Sequence, residues 1–224
     1  MTLKRVLEPE VMDTDEESRD YDAMDHATVN QAFVEDLLAG GDVHGEVIDL
    51  GTGTAQIPIL LCQHVEECRV MAIDLSIAML DLARLNIEVN SLIDRISLAH
   101  IDSKELVYDD DQFDVVMSNS IVHHVPEPVT VIAEAVRVTK PGGRLFFRDL
   151  LRPSDDSTVE QLVTTYAAEA DARQRKMFDD SLRAALSLDE VRELVAALGF
   201  ASESVAATSD RHWTWDAVKP PSYR

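Results

Sequence analysis

A strand, a glycine turn and a helix start follow one another within ten residues, and this segment constrains the fold more than any other part of the chain. The run Val47–Leu50 is apolar apart from one carboxylate, Asp49, as expected of a buried strand. Gly51 and Gly53 then allow the backbone to turn sharply and to approach a ligand without a Cβ in the way. Because the amides that open the next helix face the turn, the segment predicts a β-turn-α unit with a binding site at its turn.

Strands and helices continue to alternate after this unit. The apolar patterns predict strands at 46–50, 69–74, 95–101, 113–118 and 143–149. They predict the intervening helices at 54–67, 76–90 and 127–139. This alternation is typical of right-handed crossovers and a parallel sheet covered on both faces, so we predict an α/β fold with a doubly wound sheet.

Both ends of the chain differ from this pattern. Residues 8–25 hold nine carboxylates and one base, which predicts a solvated arm that leads into a helix ending near Ala39. We therefore divide the chain into an N-terminal arm and cap helix at 1–44 and a main domain at 45–224. In 203–218 apolar and polar residues alternate, which predicts two final strands in a hairpin.

Between the fifth strand and this hairpin we predict two helices. Apolar residues recur at helical spacing from Val159, and Ser187 with Glu190 forms a capping box for a second helix. The longest loops are predicted at 149–157 and 176–187.

The chain is strongly acidic, with 42 acidic and 20 basic residues and a formal charge of -22. Most of its surface would repel a phosphate backbone, so we expect no nucleic-acid partner. No apolar run approaches a membrane span and residues 1–20 are too charged for a signal peptide, which predicts a cytoplasmic protein. Cys62 and Cys68 have no neighbouring histidine at ligand spacing except His64, so we expect neither a disulfide framework nor a zinc site.

Polar side chains follow four successive strands at their carboxyl ends, where open α/β sheets bind ligands. They are Asp49 with the glycine turn, Asp74, Asp102, and the run Ser118-Asn119-Ser120. A lone aspartate at a strand end is often a helix cap, and Asp74 lies two residues before Ser76. The ordered set of four nevertheless predicts a site for a nucleoside-type cofactor.

Two residues beside the turn indicate which cofactor it is. A dinucleotide site requires a small residue at the sixth position of G-x-G-x-x-G, whereas this chain has Gln56 there. Asp49 places negative charge near the turn, which suits a cationic ligand better than a pyrophosphate. These two residues favour a cationic nucleoside cofactor over a dinucleotide. Two alternatives stay open: a nicotinamide-dependent oxidoreductase and a non-catalytic adenosyl-binding protein.

The chain resembles the class I S-adenosylmethionine-dependent methyltransferases, in particular the branch similar to ubiquinone/menaquinone-biosynthesis and other small-molecule methyltransferases. The resemblance is carried by Val47–Ala55, Asp74, Asp102, Phe113–His124 and Lys140–Leu145. It implies a Rossmann-like, three-layer α/β/α fold with a doubly wound seven-stranded sheet whose last strand is antiparallel. Many relatives have a third glycine where this chain has Ala55.

The resemblance also implies roles for individual residues around S-adenosylmethionine and its product S-adenosylhomocysteine. Asp49, Gly51 and Gly53 would hold the methionine moiety, and Asp74 the ribose. Asp102 with Ser103 would meet the adenine. Asn119 and Ser120 would lie near the sulfonium, and Thr52 and Leu75 complete the predicted cofactor-binding set.

Histidines and a few other side chains are candidates for the acceptor side. His123 and His124 follow the fourth strand, and histidine titrates in the range that suits a general base; the alternative is that they cap the loop or pack. Tyr21, His26 and Arg148 are the predicted substrate-binding residues. We expect a small-molecule acceptor of unspecified nucleophile, and the sequence leaves open whether the chain forms a homodimer.

Overall fold

The computed structural model describes residues 3–8 and 27–221. Within them, strands and helices follow in the order α1 (Ala27–Ala39), β1 (Gly45–Leu50), α2 (Gln56–His64), β2 (Cys68–Asp74), α3 (Ile77–Val89), β3 (Ile96–His100), β4 (Phe113–Asn119), α4 (Pro128–Val138), β5 (Thr139–Leu150), α5 (Asp156–Tyr166), α6 (Ala172–Ala184), α7 (Leu188–Ala197), β6 (Val205–Ala207) and β7 (His212–Val218). All five predicted central strands and the three helices between them are confirmed to within a few residues.

The strands form one seven-stranded sheet in the order β3-β2-β1-β4-β5-β7-β6. β1 pairs in parallel with β2 and with β4, and β2 pairs in parallel with β3. The last strand, β7, runs antiparallel to its neighbours. This confirms the predicted doubly wound, Rossmann-like sheet with an antiparallel last strand. The strand order reverses between β1 and β4, which is where such sheets bind ligands.

The chain forms two compact units. The larger unit contains the described residues 27–119, 130–147 and 216–221. Its core is built from β1, β2 and β4 together with the buried faces of α1 and α2. Phe33 of α1 meets the ring of Phe146 edge to face at 5.0 Å, and both side chains are buried. Burying side chains of this size stabilises a fold by about 1.5–3 kcal/mol each, so this core supports the strand ends that carry the candidate site.

The smaller unit contains residues 3–8, 120–129 and 148–215. Its apolar cluster joins Leu150 with side chains of α5 and α6, and Leu3 packs against it. The prediction of a long loop at 176–187 was wrong, because α6 continues to Ala184. α6 is largely polar and buries Leu182 and Ala184, so its sequence resembles that of a loop, although Asp171 and Gln174 form a capping box that marks its start.

The C-terminal predictions are confirmed within this unit. Ser187 accepts a hydrogen bond from the Glu190 amide and begins α7, and β6 pairs antiparallel with β7 as a hairpin. Among the residues placed by the structure, no helix combines the length and the apolar character needed to cross a membrane. The division of the chain at residue 44 stays a prediction.

Candidate functional site

The glycine turn is anchored to the end of β2. Gly51 and Gly53 have φ of 71° and 55°, a conformation that glycine adopts without strain. The amides of Gly51 and Thr52 both donate to the carbonyl of Ile73 at 2.9 Å. Ala55 also lies in the left-handed region with φ of 61°, just before α2 begins. This gives a physical reason why a glycine would suit the Ala55 position.

Asp74 links this turn to the start of α3. Its Oδ2 accepts the Gly53 amide and its Oδ1 accepts the Ser76 amide, both at 2.8 Å. The N-cap of α3 is Ser76 itself, whose Oγ accepts the Met79 amide at 3.2 Å. Burial raises the pKa of Asp74, and the amides of Ser76 and Gly53 oppose that shift. Each oxygen of a carboxylate has two lone pairs, so Asp74 keeps acceptor capacity for ligand hydroxyls.

Asp49 is the buried carboxylate of the site, with 2% of its surface exposed. Burial raises its pKa to about 7; the Thr52 hydroxyl opposes this shift, and the charge of Asp74 adds to it. A carboxylate with such a pKa is held in an environment that penalises its charge. A cation bound next to Asp49 would remove that penalty, which is the electrostatic complement of a sulfonium or an ammonium group.

Asn119 is positioned by the register of β1 and β4. Leu50 pairs with Ser118, and the Ser118 hydroxyl donates to the Leu50 carbonyl at 2.9 Å. Asn119 therefore leaves the sheet next to the glycine turn. Its Oδ1 is buried and accepts no hydrogen bond from any residue that the structure describes. A buried amide oxygen without a donor costs about 1–3 kcal/mol, and a ligand N–H or O–H group would recover it.

Asp102 is held within its own loop. Its Oδ1 accepts the Lys104 amide at 2.9 Å, and its Oδ2 lies 3.0 Å from the Lys104 ammonium. The loop is tied to β2 by the Ile101 amide, which donates to the Asp74 carbonyl at 3.2 Å. Asp102 and Ser103 are both partly exposed, so they remain accessible to a ligand. The lysine partner was absent from the sequence-based interpretation.

The smaller unit contains a second cluster around the two predicted histidines. His123 is 3% exposed, and its Nδ1 lies 2.5 Å from Oδ1 of Asp149. Oδ2 of Asp149 accepts the amides of Val122 and His123 at 2.6 and 3.2 Å. Burial opposes the charge of Asp149, but His123 and the backbone amide of Leu150 hold its pKa below the usual range. Asp149 therefore fixes both the ring and the backbone of His123.

Glu8 completes this cluster from the N-terminal segment. Its Oε1 lies 3.4 Å from Nε2 of His123 and 3.2 Å from Nδ1 of His124. The two imidazole rings lie 4.1 Å apart between centroids. Burial raises the pKa of Glu8. We call Glu8, His123, His124 and Asp149 the histidine centre.

Arg5 fastens the segment that carries Glu8. Its guanidinium donates to the carbonyls of Ala184, His123 and Val125 at 2.7, 3.0 and 2.9 Å. The Val6 amide donates to the Arg183 carbonyl at 3.1 Å. Sequence reasoning missed Arg5, Glu8 and the role of Asp149, because these residues lie far from the histidines along the chain and no local pattern connects them.

The remaining predicted residues have different surroundings. Arg148 is 6% exposed, and its Nε donates to the Thr214 hydroxyl at 2.9 Å. Ser120 has φ of 60°, and its amide donates to the Arg148 carbonyl at 2.9 Å. Tyr21 and His26 lie outside the described residues. The substrate roles of Arg148, Tyr21 and His26 stay predictions.

Comparison with known proteins connects this geometry to one family. Residues 48–147 match the methyltransferase domain family. A 27-O-demethylrifamycin SV methyltransferase from Amycolatopsis mediterranei is 31% identical over 192 residues, covering 82% of this chain and 65% of that protein. A demethylmenaquinone methyltransferase from Clavibacter sepedonicus is 30% identical over 172 residues, covering 71% of this chain and 67% of that protein. The chain spans about half to two thirds of the length of the curated relatives it matches.

Solved structures share the fold. An S-adenosylmethionine-dependent methyltransferase from Aquifex aeolicus has a TM-score of 0.66 at 17% identity, covering 92% of this chain and 98% of that one. At this identity the likeness concerns the arrangement of strands and helices alone.

Proposed function

Since the chain belongs to the S-adenosylmethionine-dependent methyltransferases, we propose that it transfers a methyl group from this cofactor to a small-molecule acceptor. The observation that carries the proposal is the buried carboxylate of Asp49 beside the glycine turn, with its pKa raised to about 7. A site built for a dinucleotide would place backbone amides, without an adjoining carboxylate, against the pyrophosphate. A buried negative charge at this position favours a cationic cofactor.

The residues of the larger unit fit the parts of S-adenosylmethionine. Asp49 and the orphaned Asn119 Oδ1 would receive the ammonium end of the methionine moiety. Asp74, held by two amides, has acceptor capacity left for the ribose hydroxyls. Asp102 and Ser103 would meet the adenine. When bound, the cofactor supplies a methyl carbon on a sulfonium, open to in-line displacement.

Catalysis by this chain would consist mainly of orientation. Asp49 and Asn119 lie near strand ends whose relative position is set by the β1–β4 register, so the sheet holds them in a defined arrangement before a ligand binds. His123 and His124 remain the proposed general bases of this chain. They would take up any proton that the acceptor loses, and His124 is the more exposed of the two.

A small-molecule acceptor is supported by two independent observations. The relatives from Amycolatopsis and Clavibacter are named for a demethylated rifamycin and a demethylated menaquinone. The formal charge of -22 disfavours a nucleic acid. We propose hydroxyl- or ring-bearing molecules of this class as acceptors and the cytoplasm as the location.

Calorimetry followed by an acceptor assay tests this function. S-adenosylmethionine and S-adenosylhomocysteine should both bind with one site per chain, and NADH should not. Binding of NADH alone would replace the proposal with the oxidoreductase alternative. The protein should then produce S-adenosylhomocysteine when given demethylated quinols or rifamycin-type hydroxyls. Cofactor binding without methyl transfer to any of them would favour a non-catalytic adenosyl-binding protein.

A further inference from the structure

We propose that Glu8, His123 and His124 form a binding site for a divalent transition-metal ion, with zinc as the best fit. The binding of the ion does not depend on the proposed methyl transfer. It assigns the N-terminal segment a chemical role that neither the sequence nor the family resemblance suggested.

Two of the three distances between the candidate ligand atoms match a tetrahedral metal site. Oε1 of Glu8 lies 3.4 Å from Nε2 of His123 and 3.2 Å from Nδ1 of His124. All three ligand atoms lie within 4.8 Å of one another. Zinc bonds to nitrogen and oxygen of about 2.0–2.1 Å at tetrahedral angles place neighbouring ligand atoms about 3.3–3.4 Å apart. The two histidine nitrogens lie at most 4.8 Å apart, so a movement of one ring would bring all three atoms within reach of a single ion.

The hydrogen-bond pattern points to a cation at the same place. Ionised Asp149 can only accept a hydrogen bond, so Nδ1 of His123 carries the proton of that contact. When Nε2 of His123 carries no proton, its lone pair faces the Glu8 carboxylate 3.4 Å away. Two acceptors that face each other repel unless a positive charge lies between them. A proton can bridge one such pair, whereas a metal ion satisfies three ligands at once.

The three candidate ligands are largely buried, so water does not compensate their charges. Oε1 of Glu8 is buried and has no hydrogen-bond partner among the described residues, and the Glu8 side chain is only 11% exposed. The His123 and His124 side chains are 4% and 16% exposed. A buried carboxylate oxygen that accepts no hydrogen bond costs free energy, which ligation would recover.

Second contacts hold each ligand in position, as is usual around protein-bound metals. Asp149 orients His123 through Nδ1, and the Ser181 hydroxyl donates to Oε2 of Glu8 at 3.2 Å. Arg5 donates to the carbonyls of His123 and Val125, so it holds the N-terminal segment that carries Glu8 next to the histidines. Glu8 is thus brought to the histidines by contacts that do not use its metal-facing oxygen.

The ligand set selects the class of ion. Two imidazoles and one carboxylate suit zinc and similar transition metals, whereas magnesium and calcium prefer oxygen ligands. Three protein ligands leave a fourth position open, as in catalytic zinc sites. A nitrogen that ligates a metal has no lone pair for a proton, so a water or an acceptor hydroxyl at this fourth position would take over the proton chemistry of the histidine centre.

Metal titration of the purified full chain tests the site. Chelator-treated protein is titrated with zinc chloride in calorimetry, with excess magnesium present to suppress binding to the acidic surface. Cobalt(II) is titrated separately and followed by its visible absorption, which is intense for tetrahedral coordination. We expect one zinc ion per chain and a tetrahedral cobalt spectrum.

Variants distinguish this site from surface binding. Glu8→Gln and His124→Ala should each weaken zinc binding at least tenfold, and Asp149→Asn should weaken it about 10–100-fold by releasing the His123 ring. His64→Ala is the matched control, because His64 is an exposed histidine outside the cluster, and it should bind zinc like the wild type. Thermal unfolding of each variant, together with calorimetry of S-adenosylmethionine, identifies any loss of fold.

Two results would overturn the proposal. One is the absence of saturable zinc binding in the presence of excess magnesium, and the other is an unchanged zinc affinity in folded Glu8→Gln and His124→Ala. Either result would leave the cluster as an ion pair between carboxylates and a protonated imidazole. Neither would affect the methyltransferase proposal, which is tested by cofactor binding in the larger unit.

Discussion

The carboxylate of Asp74 accepts the amide of Gly53 at 2.8 Å, so the end of β2 holds the glycine turn that follows β1. The same carboxylate accepts the Ser76 amide that opens the next helical segment. One side chain thus connects two neighbouring strand ends. The site is preorganised by this connection before any ligand binds.

Removing this carboxylate should weaken cofactor binding. Asp74→Ala eliminates both the acceptor for the ribose and the anchor of the Gly53 amide. We expect the Kd for S-adenosylmethionine to rise at least tenfold, which is about 1.4 kcal/mol, as measured by calorimetry. Asp81→Ala is the control, because Asp81 is exposed on α3, and its Kd should not change. Unchanged affinity in Asp74→Ala would mean that Asp74 serves the loop alone.

Cofactor affinity should depend on pH through Asp49. The pKa of Asp49 is about 7, so its carboxylate becomes charged as the pH rises from 6 to 8. The charged form attracts a cationic ligand, and affinity for S-adenosylmethionine should therefore increase over this interval. Asp49→Asn should bind weakly and lose most of this dependence. A pH profile that Asp49→Asn reproduces in full would assign the titration to another group.

The stability of the ligand-free protein should follow the opposite trend. The folded-state pKa of Asp49 is raised above its unfolded value, so the folded protein binds the proton more tightly. The contribution of Asp49 to stability is complete below the unfolded pKa near 4 and is lost as the pH rises toward 7. At pH 8 Asp49→Asn should unfold at higher denaturant concentration than the wild type. Equal midpoints at pH 8 would contradict this.

Substituting Asn119 should weaken cofactor binding while leaving the stability of the protein almost unchanged. Its buried Oδ1 has no donor among the described residues, so Asn119→Ala removes an unsatisfied group and costs little stability. The same substitution should weaken S-adenosylmethionine binding several-fold, because the ligand loses an acceptor. Calorimetry and thermal unfolding measure the two effects. Loss of stability without loss of affinity would show a structural role for the amide.

Arg5 should stabilise the smaller unit. Hydrogen bonds from a charged donor contribute about 1.5–3 kcal/mol each when buried, and less when solvent competes, as it does here because Arg5 is half-buried. We expect Arg5→Ala to lower the free energy of unfolding by about 1–3 kcal/mol, measured in urea. Lys4→Ala, at an exposed neighbouring position, should have almost no effect. Equal effects of the two substitutions would argue against the anchoring role.

Much of the fold was predictable because its signals are local. The period of apolar residues identified β1 to β5 and the helices between them, and the alternation of these elements implied a parallel sheet. The capping box at Ser187 identified α7 for the same reason. α6 was missed because its sequence is largely polar and therefore resembles that of a solvated loop.

The cofactor-binding residues of the candidate site could also be predicted from the sequence. In a parallel sheet the carboxyl ends of strands lie along one edge, so Asp49, Asp74, Asp102 and Asn119 could be grouped from their positions alone. The hydrogen-bond and ion-pair partners of these side chains could not be predicted from sequence positions. The Lys104 contact of Asp102 and the unsatisfied oxygen of Asn119 depend on loop conformation and on side-chain packing.

The sequence by itself determined the order of strands and helices, the glycine turn and the carboxylates that follow it, because each is encoded within a few consecutive residues. Only the tertiary structure decided which groups surround the histidines. Asp149 is 26 residues from His123 along the chain, and Arg5 is 118 residues from it. Contacts over such separations depend on how the whole smaller unit packs. The histidine centre, and the metal site proposed from it, therefore could not be predicted from the sequence, because only the folded chain brings Glu8 close to His123 and His124.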